Sequence, residues 1–132
     1  MVLVDTSVWV DHFRGKETPQ TTYLSQAVAQ ADELCISGIV LTEVLQGLLD
    51  EKEYHDTRTS LDSLIFLPML HQSYLVAADI YRQAKQRGQT IRGSIDCLIA
   101  ACAITHNARL LQNDKDFSTI AKFSKLKLVE IN

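Results

Sequence analysis

No apolar run in the 132 residues approaches the roughly 18 that a membrane-spanning helix needs. The first residues also lack the basic segment and long apolar stretch of an export signal, so a cytoplasmic protein with no membrane partner is expected. Cysteine is sparse and odd in number. Cys35, Cys97 and Cys102 form no paired C-x-x-C spacing, which excludes a zinc site or disulfide framework and leaves three buried thiols. Proline occurs only at positions 19 and 68, both between periodic segments. With no Gly/Ser linker and no repeat, residues 1–132 are expected to form one domain. Positive charge is not in excess: the formal net charge is -3, the wrong sign for a protein that coats nucleic acid by charge alone. Phosphate-binding G-x-x-x-x-G-K-[ST] and G-x-G-x-x-G loops are absent, as are a G-x-S-x-G elbow and a persuasive Cys–His pair. His12, His55, His71 and His106 lie in polar or helix-end contexts and read as solvated or structural.

What the chain does have is a 46% hydrophobic content, enough for a real core, arranged in alternating periods. Val2 to Val4 is a short β-prone apolar run. A helix capped by Ser7 is expected through about Arg14, ended by Gly15 and Pro19. A helix over Thr21–Ala31 leads to a strand in "ELCIS". Ile39–Leu49 is helical, with Val40, Val44, Leu45 and Leu48 on one stripe. A helix over Asp50–Leu64 precedes a strand in "IFLP". Ser73–Arg87 reads as an amphipathic helix carrying Leu75, Ala78, Tyr81 and Lys85. Ser94 is expected to cap a helix from Ile95 to about His106. "ARLLQ" is a strand, Phe117–Phe123 a short helix and "LKLVEI" a closing strand. Such alternation specifies an α/β sandwich on a mostly parallel sheet, whose ligands bind beyond the carboxyl ends of the strands.

Acidic residues recur at element ends. Asp5 follows the first strand, Glu43 interrupts "GIVLTEVLQG", Asp96 opens the apolar "SIDCLIAACAI", and Asp114 and Asp116 follow "RLLQ". Each has an ordinary explanation: Asp5 or Asp114 can cap a helix, and Asp96 can complement a helix dipole. Glu43 is harder to explain so, because its neighbours are apolar and an unpaired buried carboxylate is costly. One arrangement accounts for all of them. Converging carboxylates repel unless a cation neutralises them, and an oxygen-only set without His or thiolate suits Mg²⁺, with Mn²⁺ as a substitute. Mg²⁺ commonly shares its shell with substrate phosphates, which points to phosphodiester chemistry.

Other acid-dependent sites fit less well. A haloacid-dehalogenase-type phosphatase needs a second Asp where Ser7 stands. An integrin-type site needs a hydroxyl where Trp9 stands, and a response regulator needs an acidic pair near its start. Taken in order, "VDTSVWVD", "LTEVLQG" and "GSIDCLIAACAITHNARLLQNDKDF" resemble the PIN-domain ribonucleases, and among them the VapC toxins of type II toxin–antitoxin pairs. The resemblance spans essentially the whole chain. It implies a PIN-like α/β/α sandwich with about four to five central strands. It also implies a Mg²⁺-dependent endoribonuclease toxin that cleaves structured RNA such as tRNA or rRNA. The family's acids fall on Asp5, Glu43, Asp96, Asp114 and Asp116, as metal ligands and catalytic groups. Asp116 and Asp114 remain open as alternatives for the main late ligand. Thr6 or Ser7 supplies the hydroxyl near the first acid, and Arg92 and Ser94 flank the third as candidate substrate contacts. Gln112 or Asn113, depending on register, stands where the family usually has Thr.

The same resemblance implies a VapB-like antitoxin that wraps the toxin and blocks the acidic pocket with a basic side chain. It further implies a homodimer, and promoter DNA bound only through the antitoxin. Tyr23, Leu24, Leu61 and Leu64 are candidate antitoxin contacts or core residues. Two basic groups are available to hold an RNA backbone: Arg82, Lys85, Arg87 and Arg92, and then Lys115, Lys122, Lys125 and Lys127. A catalytically idle interaction module and a DNA-directed metal-dependent nuclease are the competing readings.

Overall fold

The computed structural model describes residues 1–131. Five strands form one parallel sheet: β1 (Val2–Val4), β2 (Leu34–Ser37), β3 (Ile65–Leu67), β4 (Arg109–Leu111) and β5 (Lys127–Leu128). Seven helices connect them: α1 (Thr6–Phe13), α2 (Pro19–Ala29), α3 (Gly38–Gln46), α4 (Glu51–Asp62), α5 (His71–Gln86), α6 (Ser94–Thr105) and α7 (Lys115–Phe123). The α/β sandwich expected from the alternation is what the chain forms.

The strand order is β3-β2-β1-β4-β5. The chain therefore builds outward from β1 on one side, then crosses over to continue from β1 on the other. The reversal lies between β1 and β4, where an open parallel sheet leaves a crevice at its carboxyl edge. Central β1 is buried on both faces, with Leu3 and Val4 fully inaccessible, as its unbroken apolar run requires. The edge strand β3 differs: Ile65 and Phe66 are 41% and 53% exposed.

Helix boundaries follow local chemistry. Asp5, not Ser7, caps α1, because the carboxylate accepts the Ser7 N–H at 3.2 Å and Ser7 already has helical geometry. Thr18 and Thr21 form a reciprocal box that starts α2 at Pro19, earlier than the apolar periodicity implies. Ser94 does not cap α6. It is the first helical residue, preceded by Gly93 without any side-chain cap.

The longest helix also turns a different face inward than expected. In α5 the buried residues are Ser73, Ala77, Ile80 and Ala84, while Leu75 is 59% exposed. Small side chains let α5 lie close against α6, whose Ala100, Ala101 and Ala103 are fully buried. Ser73 near the start of α5 hydrogen-bonds Thr105 at the end of α6 at 3.0 Å. The two helices are thus antiparallel, and the last turn of α5 reaches the Asp96 end of α6. The three thiols are free and buried, as their spacing suggested. His106 is structural, its Nε2 lying 2.7 Å from the Pro68 carbonyl oxygen. No helix among the described residues is long and apolar enough to cross a membrane.

Candidate metal centre

The crevice between β1 and β4 is lined by acids from three parts of the chain. Asp5 ends β1, and its own N–H continues the ladder to the Leu111 carbonyl at 2.9 Å. Asp114 and Asp116 follow β4 at the same edge. Asp114 caps α7 through a 2.9 Å bond from the Asp116 N–H, so the second acid is turned back into the crevice. Asp96 is in the first turn of α6. Oxygens of Asp96, Asp114 and Asp116 all lie within 4.8 Å of one another. Asp116 is buried and the other two are half-buried.

Asp5 and Glu43 are not within that group of three. Asp5 is buried at 5% exposure and accepts the Ser7 hydroxyl at 2.7 Å. Glu43 is half-buried and accepts the Thr6 hydroxyl at 2.7 Å. Its cost in an apolar helix is therefore relieved by a neighbour from α1. The adjacent hydroxyls thus divide: Ser7 serves the first acid and Thr6 the second.

The electrostatics record the crowding. Burial, then the charges of Asp114, Asp5 and Asp116, push the Asp96 carboxyl up to about 7. Burial also raises Asp5, against hydrogen bonds from Ser7 that lower it. Burial alone would raise Asp116 too, but Arg92 reverses the balance and holds it below the ordinary carboxylate range. The Arg92 Nε and backbone N–H donate to Asp116 Oδ2 at 3.1 and 3.3 Å, and its Nη2 donates to Asp114.

Two further findings concern residues whose roles the sequence left open. Gln112, not Asn113, is the partner in the late segment: its Oε1 accepts the Asp114 N–H at 2.6 Å and fixes the turn that presents both acids. The missing Thr concealed this, since only the turn geometry distinguishes the two amides. The basic residues separate as well. Arg82 shares a groove with Ser94 and Leu98 at the Asp96 end, and Lys115 begins α7 beside the acids. Lys125 and Lys127 instead lie with Asn107 and Ala108 at the opposite, amino edge of the sheet, so they cannot line the crevice.

Among the described residues the grouped donors are uniform: the carboxylate oxygens of Asp96, Asp114 and Asp116. Such a set fits a hard divalent cation and would suit a soft metal poorly.

The chain is similar to known proteins along nearly its whole length. The PIN domain family model matches residues 2–123. Ribonuclease VapC11 of Mycobacterium tuberculosis is 36% identical over 133 residues, covering 96% of each chain. Ribonuclease VapC1 of Rickettsia felis is 38% identical over 130 residues, covering 90% of each. Among solved structures, VapBC2 from Rickettsia felis bound to a promoter DNA fragment superposes with a TM-score of 0.78 at 24% identity, over 98% of both chains. Acids gathered where β1 and β4 part, matched along nearly the whole sequence, show that the chain belongs to the PIN-domain family and, within it, to the VapC ribonucleases.

Proposed function

We propose that this protein is a Mg²⁺-dependent endoribonuclease toxin that cleaves structured RNA, tRNA or rRNA, in the cytoplasm and is restrained by a VapB-like antitoxin. One observation carries the reading: Asp96, Asp114 and Asp116 converge to within 4.8 Å at the topological switch point, with Asp5 beside them. Arg92 pairs with Asp114 and Asp116, yet the neighbouring acids still push the Asp96 carboxyl up to about 7, a repulsion that a bound divalent cation would relieve. Asp96, Asp114 and Asp116 would hold the ion, with Asp5 closing the inner wall. When bound, Mg²⁺ or Mn²⁺ supplies Lewis-acid charge to a phosphodiester. Glu43, held by the Thr6 hydroxyl, would orient the attacking water. Arg82, Lys85 and Arg87, in the last turns of α5 and just beyond, offer an approach for the RNA backbone. The domain, as a single unit over residues 1–132, would act as a homodimer and reach promoter DNA only through the antitoxin.

The antitoxin surface follows from what remains exposed. Leu24 and Leu61 are fully buried and belong to the core, so they cannot contact a partner. Leu64 instead lines a cleft with Trp9, Phe13, Val28 and Ile65, a surface suited to an amphipathic helix.

Purified protein incubated with total cellular RNA tests the proposal, comparing Mg²⁺ with EDTA and wild type with Asp96→Asn. Discrete fragments that need both the metal and Asp96 are expected, with a loss of at least about a hundredfold in the variant. Asp5→Asn is a better second variant than Asp5→Ala, because it keeps an acceptor for the α1 cap. Intact RNA under every condition, with metal binding verified, would overturn the reading in favour of a DNA substrate or an idle interaction module.

A further inference from the structure

The acidic crevice contains a cation that belongs to the chain itself. Arg92 gives Nε and its backbone N–H to Asp116, and Nη2 to Asp114. Those are two of the three carboxylates that make up the candidate metal centre. The Asp116 side chain is only 3% exposed, whereas that of Arg92 is 66% exposed. An accessible guanidinium therefore covers a nearly inaccessible carboxylate.

Arg92 and a divalent ion compete for these oxygens. Each carboxylate has a limited set of lone pairs, and one oxygen of each is already accepting from the guanidinium. Two cations sharing the same pair of acids also repel at close range, in surroundings that screen them less than bulk water. The backbone at Arg92 is held, by the buried Ile91 before it and by its own N–H on Asp116, while its side chain is 66% exposed. The guanidinium can swing outward without disturbing the core.

We propose that Arg92 is a resident counter-cation: it neutralises Asp114 and Asp116 when no metal is bound, and the incoming ion must displace it. Displacement leaves a free guanidinium at the mouth of the crevice, where it is available to grip a substrate phosphate in the bidentate geometry that Arg favours. Metal loading and phosphate binding are thereby coupled through one side chain. This inference rests on the metal-centre reading above.

Calorimetric titration with MnCl₂ tests it on wild type, Arg92→Ala, Arg92→Gln and Asp96→Asn. Folding of each variant is verified first by circular dichroism, and Arg92→Gln keeps a donor without charge in case the Ala variant does not fold. The Arg92 variants are expected to bind Mn²⁺ about tenfold more tightly than wild type, a common size for coupling between competing ligands. They should also melt at lower temperature in EDTA, with the gap closing at saturating Mn²⁺. Unchanged or weaker Mn²⁺ binding in a folded Arg92 variant would overturn the proposal, weaker binding meaning that Arg92 positions Asp116 for the ion. Absence of any Mn²⁺ uptake by wild type would instead sink the metal-centre reading, and this inference with it. Loss of uptake in Asp96→Asn alone supports the site.

Discussion

Asp96 shows how one residue registers a whole site. In the fold its carboxyl keeps a proton up to about pH 7, chiefly through burial and then through the neighbouring acids. In the unfolded chain it releases that proton near its ordinary value of 3.8. Between those values the native state holds more protons, so its stability falls as pH rises from about 4 toward 7. Asp116 acts in the opposite sense at lower pH. Its depressed value adds stability above the ordinary carboxylate range, lost only under stronger acid. Calorimetric melting in EDTA at pH 5 and pH 8 should therefore separate wild type from Asp96→Asn. At pH 8 the variant is expected to gain about 4 °C relative to wild type, the shift that roughly 1 kcal/mol produces in a chain this size. Parallel melting of both proteins at the two pH values would mean that Asp96 titrates as an ordinary surface acid.

Among the elements, the pairing of α5 with α6 matters most, because it sets the first turn of α6 at the crevice. The contact uses small buried residues: Ala77 and Ala84 from α5, and Ala101 from α6, on the same helical face as Leu98 and Thr105. Interiors packed to this density resist added volume. Ala101→Leu is expected to destabilise the protein by about 1–3 kcal/mol, measured by urea unfolding. A change below that range would mean that the helices can separate without cost. The same contact explains where the sequence misled. A hydrophobic stripe through Leu75, Ala78 and Tyr81 looks like the buried face of α5, yet the smaller residues on an adjoining face pack inward. Periodicity reports which faces are apolar, and only the neighbour decides which apolar face fits. Ser94 misled for a related reason. It is a good capping residue by type, but the chain is already helical when it reaches that position.

At the scale of the whole molecule, the sheet order brings Asp5, Asp114 and Asp116 to one edge, where Asp96 of α6 meets them, in a chain whose net charge is only -3. A ligand that binds the native state alone stabilises it in proportion to its free concentration, by about 2.7 kcal/mol at a hundred times its dissociation constant. Millimolar Mn²⁺ is accordingly expected to raise the melting temperature in a dose-dependent way, and Asp96→Asn should abolish the rise. An unshifted wild-type melting curve would count against a preformed centre.

Strand and helix alternation, the fold class and the acidic residues at element ends were all legible along the chain. Each rests on chemistry that a short window of residues expresses: an apolar run, a helical period, a carboxylate that its apolar neighbours do not explain. Even the first strand ending on Asp5 could be read as both a helix cap and a site; the residue caps α1 and stands near Asp96. What no window contains is distance across the fold. Asp5 is separated from Asp114 by the whole alternation, and the two meet at one edge only because β1 pairs with β4. The same pairing leaves Lys125 and Lys127 at the far edge, although in sequence they follow closely on Asp116. The packing of α6 against β4 and α7 brings Arg92, just before α6, onto Asp114 and Asp116, a contact that no local spacing encodes. Local chemistry determined which residues were unusual. The parallel register of β1 and β4 decided which of them share a site, because charges interact through space and not along the chain.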